Sequence, residues 1–410
     1  MITRFSIIAS SITKSQNHQI TRCFYQIIKL VFSLMLVTNV GAESPGRILT
    51  ESEILSEWRQ EIIPAAVTLL VSGQEKNGAW PYEGVYRVND KIPMGYQVAG
   101  TAICARALFE APGYRDNPAR PAAVHQGMNF MFKQIADPSM DPAHLGGYDV
   151  RGWGWIYLLQ CCLRYQELGL ADPTEAKKIE EVIPACVAAL NTMEVKANRA
   201  RHIKRGGWTY AAEYTGSAIS FMTAPALQGL FKAKARGYAV DEPLIQRALE
   251  VMEKGREDDG AFQYTLWGVG TPKREKRDVL PGAVARSAMS EATLRLAHRS
   301  TPERLEAALE AFFKYWGELH ARYQKEGTHA GPYEIAPYYV MFAHWGAAQA
   351  IELLPEAKRP EYRVLLMERL QSLWNPKNWW NDRVFPRSRN VGTAMALMAL
   401  LAPQLPSPTD

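Results

Sequence analysis

Two kinds of helical segment alternate along this chain, and the alternation constrains the fold more than any other feature. One kind is amphipathic with a single charged face and covers residues 53–72, 118–135, 174–195, 242–256, 302–324 and 360–374. The other is rich in small and apolar residues and covers 97–110, 152–168, 217–236, 282–298, 338–354 and 390–401. A helix that is apolar all round has to be buried on every side, whereas one with a charged face lies outside. Six such pairs in strict order predict an all-α fold, an (α/α)6 toroid of six helical hairpins with an inner ring inside an outer ring. An annular core also lets a chain of this length remain one domain. Small residues on the inner segments, as in Gly100-Thr101-Ala102 and Gly392-Thr393-Ala394, allow close approach of neighbours.

A phrase recurs where each charged segment hands over to the next apolar one. It reads Gly78-Ala-Trp80-Pro-Tyr82, then Gly207-Trp208-Thr-Tyr210, then Gly260-Ala-Phe262-Gln-Tyr264, with a decayed copy at Trp374–Trp380. Glycine supplies the left-handed residue that ends a helix, and the aromatic after it folds back over the helix end. The expected role is to hold the ring together, with Trp208 buried over the segment 174–195.

This phrase, Gln-x-x-x-Gly-x-Trp at 74–80 with its Gly-Gly-Trp and Asp-Gly-x-Phe variants, resembles the repeat of squalene–hopene cyclases and protein prenyltransferase β-subunits. It is similar to that of the secreted bacterial prenyltransferase/squalene-oxidase repeat proteins, over residues 50–403. The resemblance implies the toroid of the terpenoid cyclase/protein prenyltransferase superfamily, in which the starts of the inner helices surround a central cavity. It does not bring that group's chemistry with it. The Asp-x-Asp-Asp acid of class II cyclases does not occur, and Asp258-Asp259 reads as turn chemistry. Prenyltransferases bind zinc through Asp, Cys and His; here 277–290 offers Asp278 without a Cys, and 390–401 has no His. The thioester segment of complement-like toroids is also missing. No Cys, His or carboxylate set has first-shell zinc spacing, so neither a metal nor any other cofactor is expected.

Composition narrows the setting. The formal charge is +5, and residues 1–42 contain Arg4, Lys14, Arg22 and Lys29 without one acid, so the rest is close to neutral. No basic stripe remains to follow a nucleic-acid backbone. Residues 1–42 themselves read as a secretory signal, with Lys29 before the apolar run 30–37 and Val40-Gly41-Ala42 before Glu43, the alternative being an uncleaved anchor. The expected mature toroid domain, 43–410, is exported and has no membrane span. It keeps four cysteines, Cys104, Cys161, Cys162 and Cys186, an even number that leaves disulfides open in an oxidising compartment, although the first three sit in apolar helical runs that favour buried thiols.

Candidate ligand-binding residues follow from the inner-helix starts. Arg151, Arg286 and Arg389, with Arg387 close by, lie at three of them, where the helix ends already favour anions. Together they predict a cationic mouth, unless each pairs with a local acid such as Asp149, Glu291 or Asp382. Aromatic residues crowd the same level: Tyr148, Trp153, Trp155 and Tyr157, then Tyr333, Tyr338, Tyr339 and Trp345. They suit sugar faces or an isoprenoid chain, or fill the core. Acid–base candidates are Glu291 and His344, followed by Asp149, Tyr210, Glu213 and Glu334. Glu291 shares a helix face with Ser287, and an acid on an apolar inner helix is costly unless paired or facing a cavity. The functional expectation is an exported protein that binds an elongated, anionic ligand in the ring. The alternatives are a lyase or hydrolase on acidic polysaccharide, and a diverged isoprenoid-handling protein.

Overall fold

The computed structural model describes residues 51–144, 150–198, 203–211, 216–266 and 274–405. The expected signal segment lies outside them, as do Tyr148, Asp149 and Glu213. Everything below concerns the compact unit Ser52–Asp410.

Six outer helices are α1 (Glu51–Ser72), α3 (Ala119–Gln134), α5 (Pro173–Thr192), α7 (Glu242–Lys254), α10 (Pro302–His320) and α12 (Arg359–Leu373). The inner ring consists of α2 (Met94–Glu110), α4 (Arg151–Glu167), α6 (Ser220–Ala235), the broken pair α8 (Leu280–Ala283) and α9 (Ser287–Leu296), α11 (Tyr339–Glu352) and α13 (Ser388–Leu401). Each inner helix packs on the next, and α13 returns to α2 and closes the ring. The inner helices are buried almost throughout, and in α4 every residue from Arg151 to Tyr165 is buried. The one sheet among the described residues is a two-residue pair, β1 (Ala218–Ile219) antiparallel to β2 (Thr265–Leu266), joining two of the handover loops. No described helix is long and apolar enough to cross a membrane. All four cysteines of this unit are buried free thiols.

The recurring phrase is the joint between the rings. The indole N–H groups of Trp80, Trp208 and Trp380 donate to the carbonyls of Leu70, Leu190 and Leu370, each at 2.7 Å. Each ring thus satisfies a carbonyl left open near the end of the preceding outer helix. The backbone N–H of the same aromatic is taken up by an inner helix: Trp80 by Thr101 Oγ1 at 3.0 Å, Trp208 by Thr223 Oγ1 at 3.1 Å and Phe262 by Ser287 Oγ at 3.3 Å. Thr101 and Ser287 spend their own protons on carbonyls one turn back, leaving their oxygens to accept. Gly100 and Gly392 lie where a Cβ would collide with the carbonyl oxygens of Trp80 and Trp380. The copy ending at Trp380, though decayed in sequence, keeps the joint.

Candidate functional site

The two ends of the ring are built differently. Connections from outer to inner helices are long, as at 73–93, 193–217 and 255–279, whereas the return connections at 168–172 and 297–301 are short. Long loops on a rigid scaffold are where binding and catalysis concentrate, so the end at which inner helices begin is the candidate functional end.

The anchored aromatics place their second neighbours there. Counting two residues on from Trp80, Trp208, Phe262 and Trp380 gives Tyr82, Tyr210, Tyr264 and Asp382, all buried. The Tyr210 hydroxyl lies 2.7 Å from that of Tyr264 and 3.2 Å from that of Tyr338. Tyr338 and Tyr339, at the start of α11, have hydroxyls 3.3 Å apart. His329 closes the network: its Nδ1 lies 3.0 Å from the Glu334 carbonyl, which can only accept, so its Nε2 is the bare nitrogen, 3.3 Å from the Tyr338 hydroxyl. Burial pushes the phenols of Tyr82, Tyr338 and Tyr339 well above the ordinary tyrosine range and lowers His329. These groups are neutral hydrogen-bonding partners near pH 7.

Asp382 stands in the fourth tyrosine slot. Tyr82 donates to its Oδ1 at 3.4 Å, and the backbone N–H of Met341, in the first turn of α11, also serves its carboxylate. Burial nevertheless outweighs these bonds and the nearby Arg383 charge, and pushes the carboxyl up to about 7. Arg383 is itself only 2% exposed. Among the described residues its guanidinium makes no hydrogen bond and its Nε is buried without a partner; it lies against the rings of Tyr338 and Phe385. Trp153 stacks on Tyr82 with ring centres 5.7 Å apart, and its buried indole N–H also lacks a partner among the described residues. An acid with a raised pKa, a cation and an indole donor therefore adjoin one aromatic wall, and the cation and the donor have hydrogen bonds still to make.

The structure distributes the residues expected from sequence as follows. Trp153, Tyr210, Tyr338 and Tyr339 come together in this wall. Trp155 does not join it, because its indole donates to the Met140 carbonyl at 3.0 Å. The arginines form no common mouth. Arg286 is a strut, bound to Asp278 at 2.9 Å and to the carbonyls of Phe262, Gly282 and Arg277. Arg151 is buried and holds the Asp141 carbonyl. Arg387 is exposed and paired with Glu75 at 2.8 Å. Arg389 is half-buried on α13. Glu291 is held by two nitrogens of Arg256, at 2.7 and 3.0 Å, and by Ser300, so its charge is spent between the rings. His344 faces outward: Trp316 donates to its Nε2 at 2.9 Å, its Nδ1 meets the Val340 carbonyl at 2.7 Å, and burial lowers it to about 4. A neutral imidazole with both nitrogens engaged is a core residue.

Asp382, Arg383, His329, Tyr82 and Tyr264 were not among the expected site residues. The signal for Asp382 was present, since aligning Trp380 with the earlier anchors puts an acid where the other copies have tyrosine. Among the described residues His125, Asp172 and Glu175 bring ligand atoms within 4.8 Å of one another. Their bonds are those of a helix cap: Asp172 and Glu175 form the capping box of α5, and His125 Nδ1 lies 2.7 Å from Glu175.

No protein-family model and no curated protein matches the chain. Solved structures do. Type II terpene cyclase MstE from Scytonema, in complex with geranylgeranyl dihydroxybenzoate, is 12% identical with a TM-score of 0.52, over 86% of this chain and 99% of its own. The GH76A α-1,6-mannanase of Salegentibacter is 13% identical with a TM-score of 0.51, over 84% of this chain and 99% of its own. Unsaturated glucuronyl hydrolase from Bacillus, responsible for degradation of glycosaminoglycan, is 12% identical with a TM-score of 0.53, over 84% of this chain and 96% of its own. The chain is an α/α toroid. At such identities the toroid is shared and the chemistry is not thereby decided.

Proposed function

We propose that the chain is an exported lyase or hydrolase that takes an acidic saccharide chain at the end where the inner helices begin. The observation that carries this reading is the neighbouring pair Asp382 and Arg383, one a buried carboxyl raised to about 7 and the other a buried guanidinium without hydrogen bonds among the described residues. A carboxyl poised near neutral pH is suited to proton transfer in either direction. A guanidinium with open donors is suited to a ligand carboxylate. The tyrosine hydroxyls, His329 and the Trp153 N–H supply hydrogen bonds around an aromatic wall, a combination that suits sugar rings better than a hydroxyl-free isoprenoid chain. The toroid is also the scaffold of a hydrolase for glycosaminoglycan degradation. In this reading Arg383 fixes the ligand's acid group, Asp382 exchanges the proton, and the phenols orient the ring.

The test is a screen of uronate-containing oligosaccharides, neutral oligosaccharides and prenyl phosphates against the wild type, Asp382→Asn and Arg383→Met. Product from uronate substrates that is lost in both variants supports the reading. Tight binding without product, unchanged by Asp382→Asn, identifies a binding protein instead. Preference for the prenyl probe overturns the saccharide assignment. Export is tested separately, by whether the mature N-terminus falls near Glu43.

A further inference from the structure

The opposite end of the ring, where the inner helices stop, is not closed. A cavity of about 390 Å³ lies there, and all six members of the inner ring contribute to its wall. Its apolar side includes Phe231, Leu163 and Met398. Its polar side is cationic. Arg106 and Arg164 share a single oxygen of Glu110, at 3.1 and 3.0 Å, and Arg236 reaches Glu167 at 3.6 Å. Glu352, at the rim, is drawn outward to Arg363. Lys232 makes no ion pair among the described residues, although its ammonium has Arg106 and Arg164 as neighbours. Cations at helix C-termini are favourable in themselves, but four around one cavity with three acids, one of them already engaged by Arg363 outside it, leave an excess.

Two polar groups in this wall have bonds to make, and a cation stands beside them. Glu110 is more than nine-tenths buried, and its Oε2 has no partner among the described residues. Gln349 Nε2 is buried and likewise unpartnered. The cation is Lys232, an exposed residue of the wall whose ammonium is lowered to about 8 by desolvation first and then by Arg106, against the opposing pull of Glu167 and Glu110. Together they are one acceptor, one neutral donor and one cation. A bare anion would use the cation and leave Glu110 unmatched and repelled. A neutral polyol would satisfy Glu110 and Gln349 and leave the excess charge.

We propose that this cavity is a second binding site, for a compact organic anion that also carries hydroxyl groups, of the size and chemistry of a monosaccharide acid. Its carboxylate sits with Lys232 and the guanidinium groups, a hydroxyl donates to Glu110 Oε2, and the Gln349 amide donates to a second oxygen. The site stands independently of the proposed chemistry at the other end. The lumen between the two is filled by buried rings: Trp153 lies 5.6 Å from Tyr157, Tyr157 lies 6.1 Å from Trp345, and Arg106 covers Trp345 from the cavity side at 5.7 Å.

The experiment is calorimetric titration of glucuronate, glucose and inorganic phosphate into the full chain. It uses an Arg383→Met background, which disables the opposite end. Expected is one glucuronate per chain, with glucose and phosphate each at least ten-fold weaker, and at least a ten-fold loss on adding Lys232→Met. Gln349→Met, uncharged and apart from the ion pairs, should weaken glucuronate several-fold and serves should Lys232→Met fail to fold. Loss of all binding in Arg383→Met alone would assign glucuronate to the other end and overturn the second site. Equal binding of glucose, or no binding of glucuronate by a folded protein, overturns it too.

Discussion

The two ends of this ring use opposite means to present polar groups. Where the inner helices begin, long connections lay tyrosines, Asp382 and Arg383 over the lumen, and the side chains are almost entirely buried. Where the inner helices stop, connections are short, and the polar residues belong to the helices themselves, facing an open cavity. The first end is set by the repeat, because an anchored aromatic fixes the residue two places on. The second is set by ring geometry, since each last turn points at a common axis. A repeat-encoded end can exchange one residue, tyrosine for Asp382, without disturbing the joint beneath it. A helix-encoded end draws its ion pairs from its own few residues, as the sharing of Glu110 by two arginines shows.

The largest effect should come from removing the proton at the repeat-encoded end. Asp382→Asn is expected to lower turnover by about 10²–10⁴-fold, the usual worth of a positioned general acid or base, while leaving glucuronate binding at the opposite end intact. If Asp382 acts as the acid, wild-type activity should fall as pH rises through about 7, where the carboxyl ionises. A variant with full turnover would remove the chemistry from this end. Next is the joint. Trp208→Ala deletes a fully buried ring and its bond to the Leu190 carbonyl, and should cost about 3–5 kcal/mol, as large aromatic truncations do. Denaturant melts measure it. A loss under 1 kcal/mol would show that the anchor does not hold the site.

The same acid gives a smaller effect of opposite sign. Its folded carboxyl is raised from 3.8 to about 7, so the native state binds the proton more tightly than the unfolded chain. Stability then declines as pH climbs from about 4 to 7 and is level above that, by a sum on the order of 4 kcal/mol at most. Asp382→Asn removes this decline. It should be more stable than the wild type at pH 8 and no more stable at pH 4, as thermal melts at the two values will show. A wild-type melting temperature that rises between pH 5 and 7 faster than that of the variant would refute the raised carboxyl.

The ring was readable from sequence because its determinants are local and repeated. Every outer helix shows a charged face, every inner one lacks it, and Trp80, Trp208 and Phe262 mark the handovers. The site was only half readable. Tyr210, Tyr338 and Tyr339 could be placed at the correct end, but helix position does not reveal where a long side chain finds its partners. Arg286 was expected to face a ligand and instead binds three carbonyls and Asp278. Glu291 was expected to face a cavity and finds Arg256, from the preceding outer helix's end. Such pairings join distant segments and leave no periodic trace. Asp382 was hidden differently, by a joint whose glycine had been replaced and whose register was therefore easy to miss. The helix-encoded cavity was hidden because Arg164 and Lys232 look like ordinary last-turn cations.

The smallest expected effect separates the two ends most cleanly. Lys232→Met keeps the aliphatic stem that covers the cavity wall and removes only the ammonium. In the free protein that ammonium has no ion pair among the described residues, and its charged neighbours oppose one another, Arg106 and Arg164 against Glu167 and Glu110. Its removal lifts the desolvation that weighs most on the ammonium and breaks no ion pair among the described residues. Stability should therefore change by no more than about 0.5 kcal/mol, the range of substitutions away from structural features, and in the stabilising direction. If the variant is instead destabilised by 2 kcal/mol or more, Lys232 is holding a buried carboxylate, the cavity is balanced within itself, and the contrast between a binding end and a self-contained one disappears.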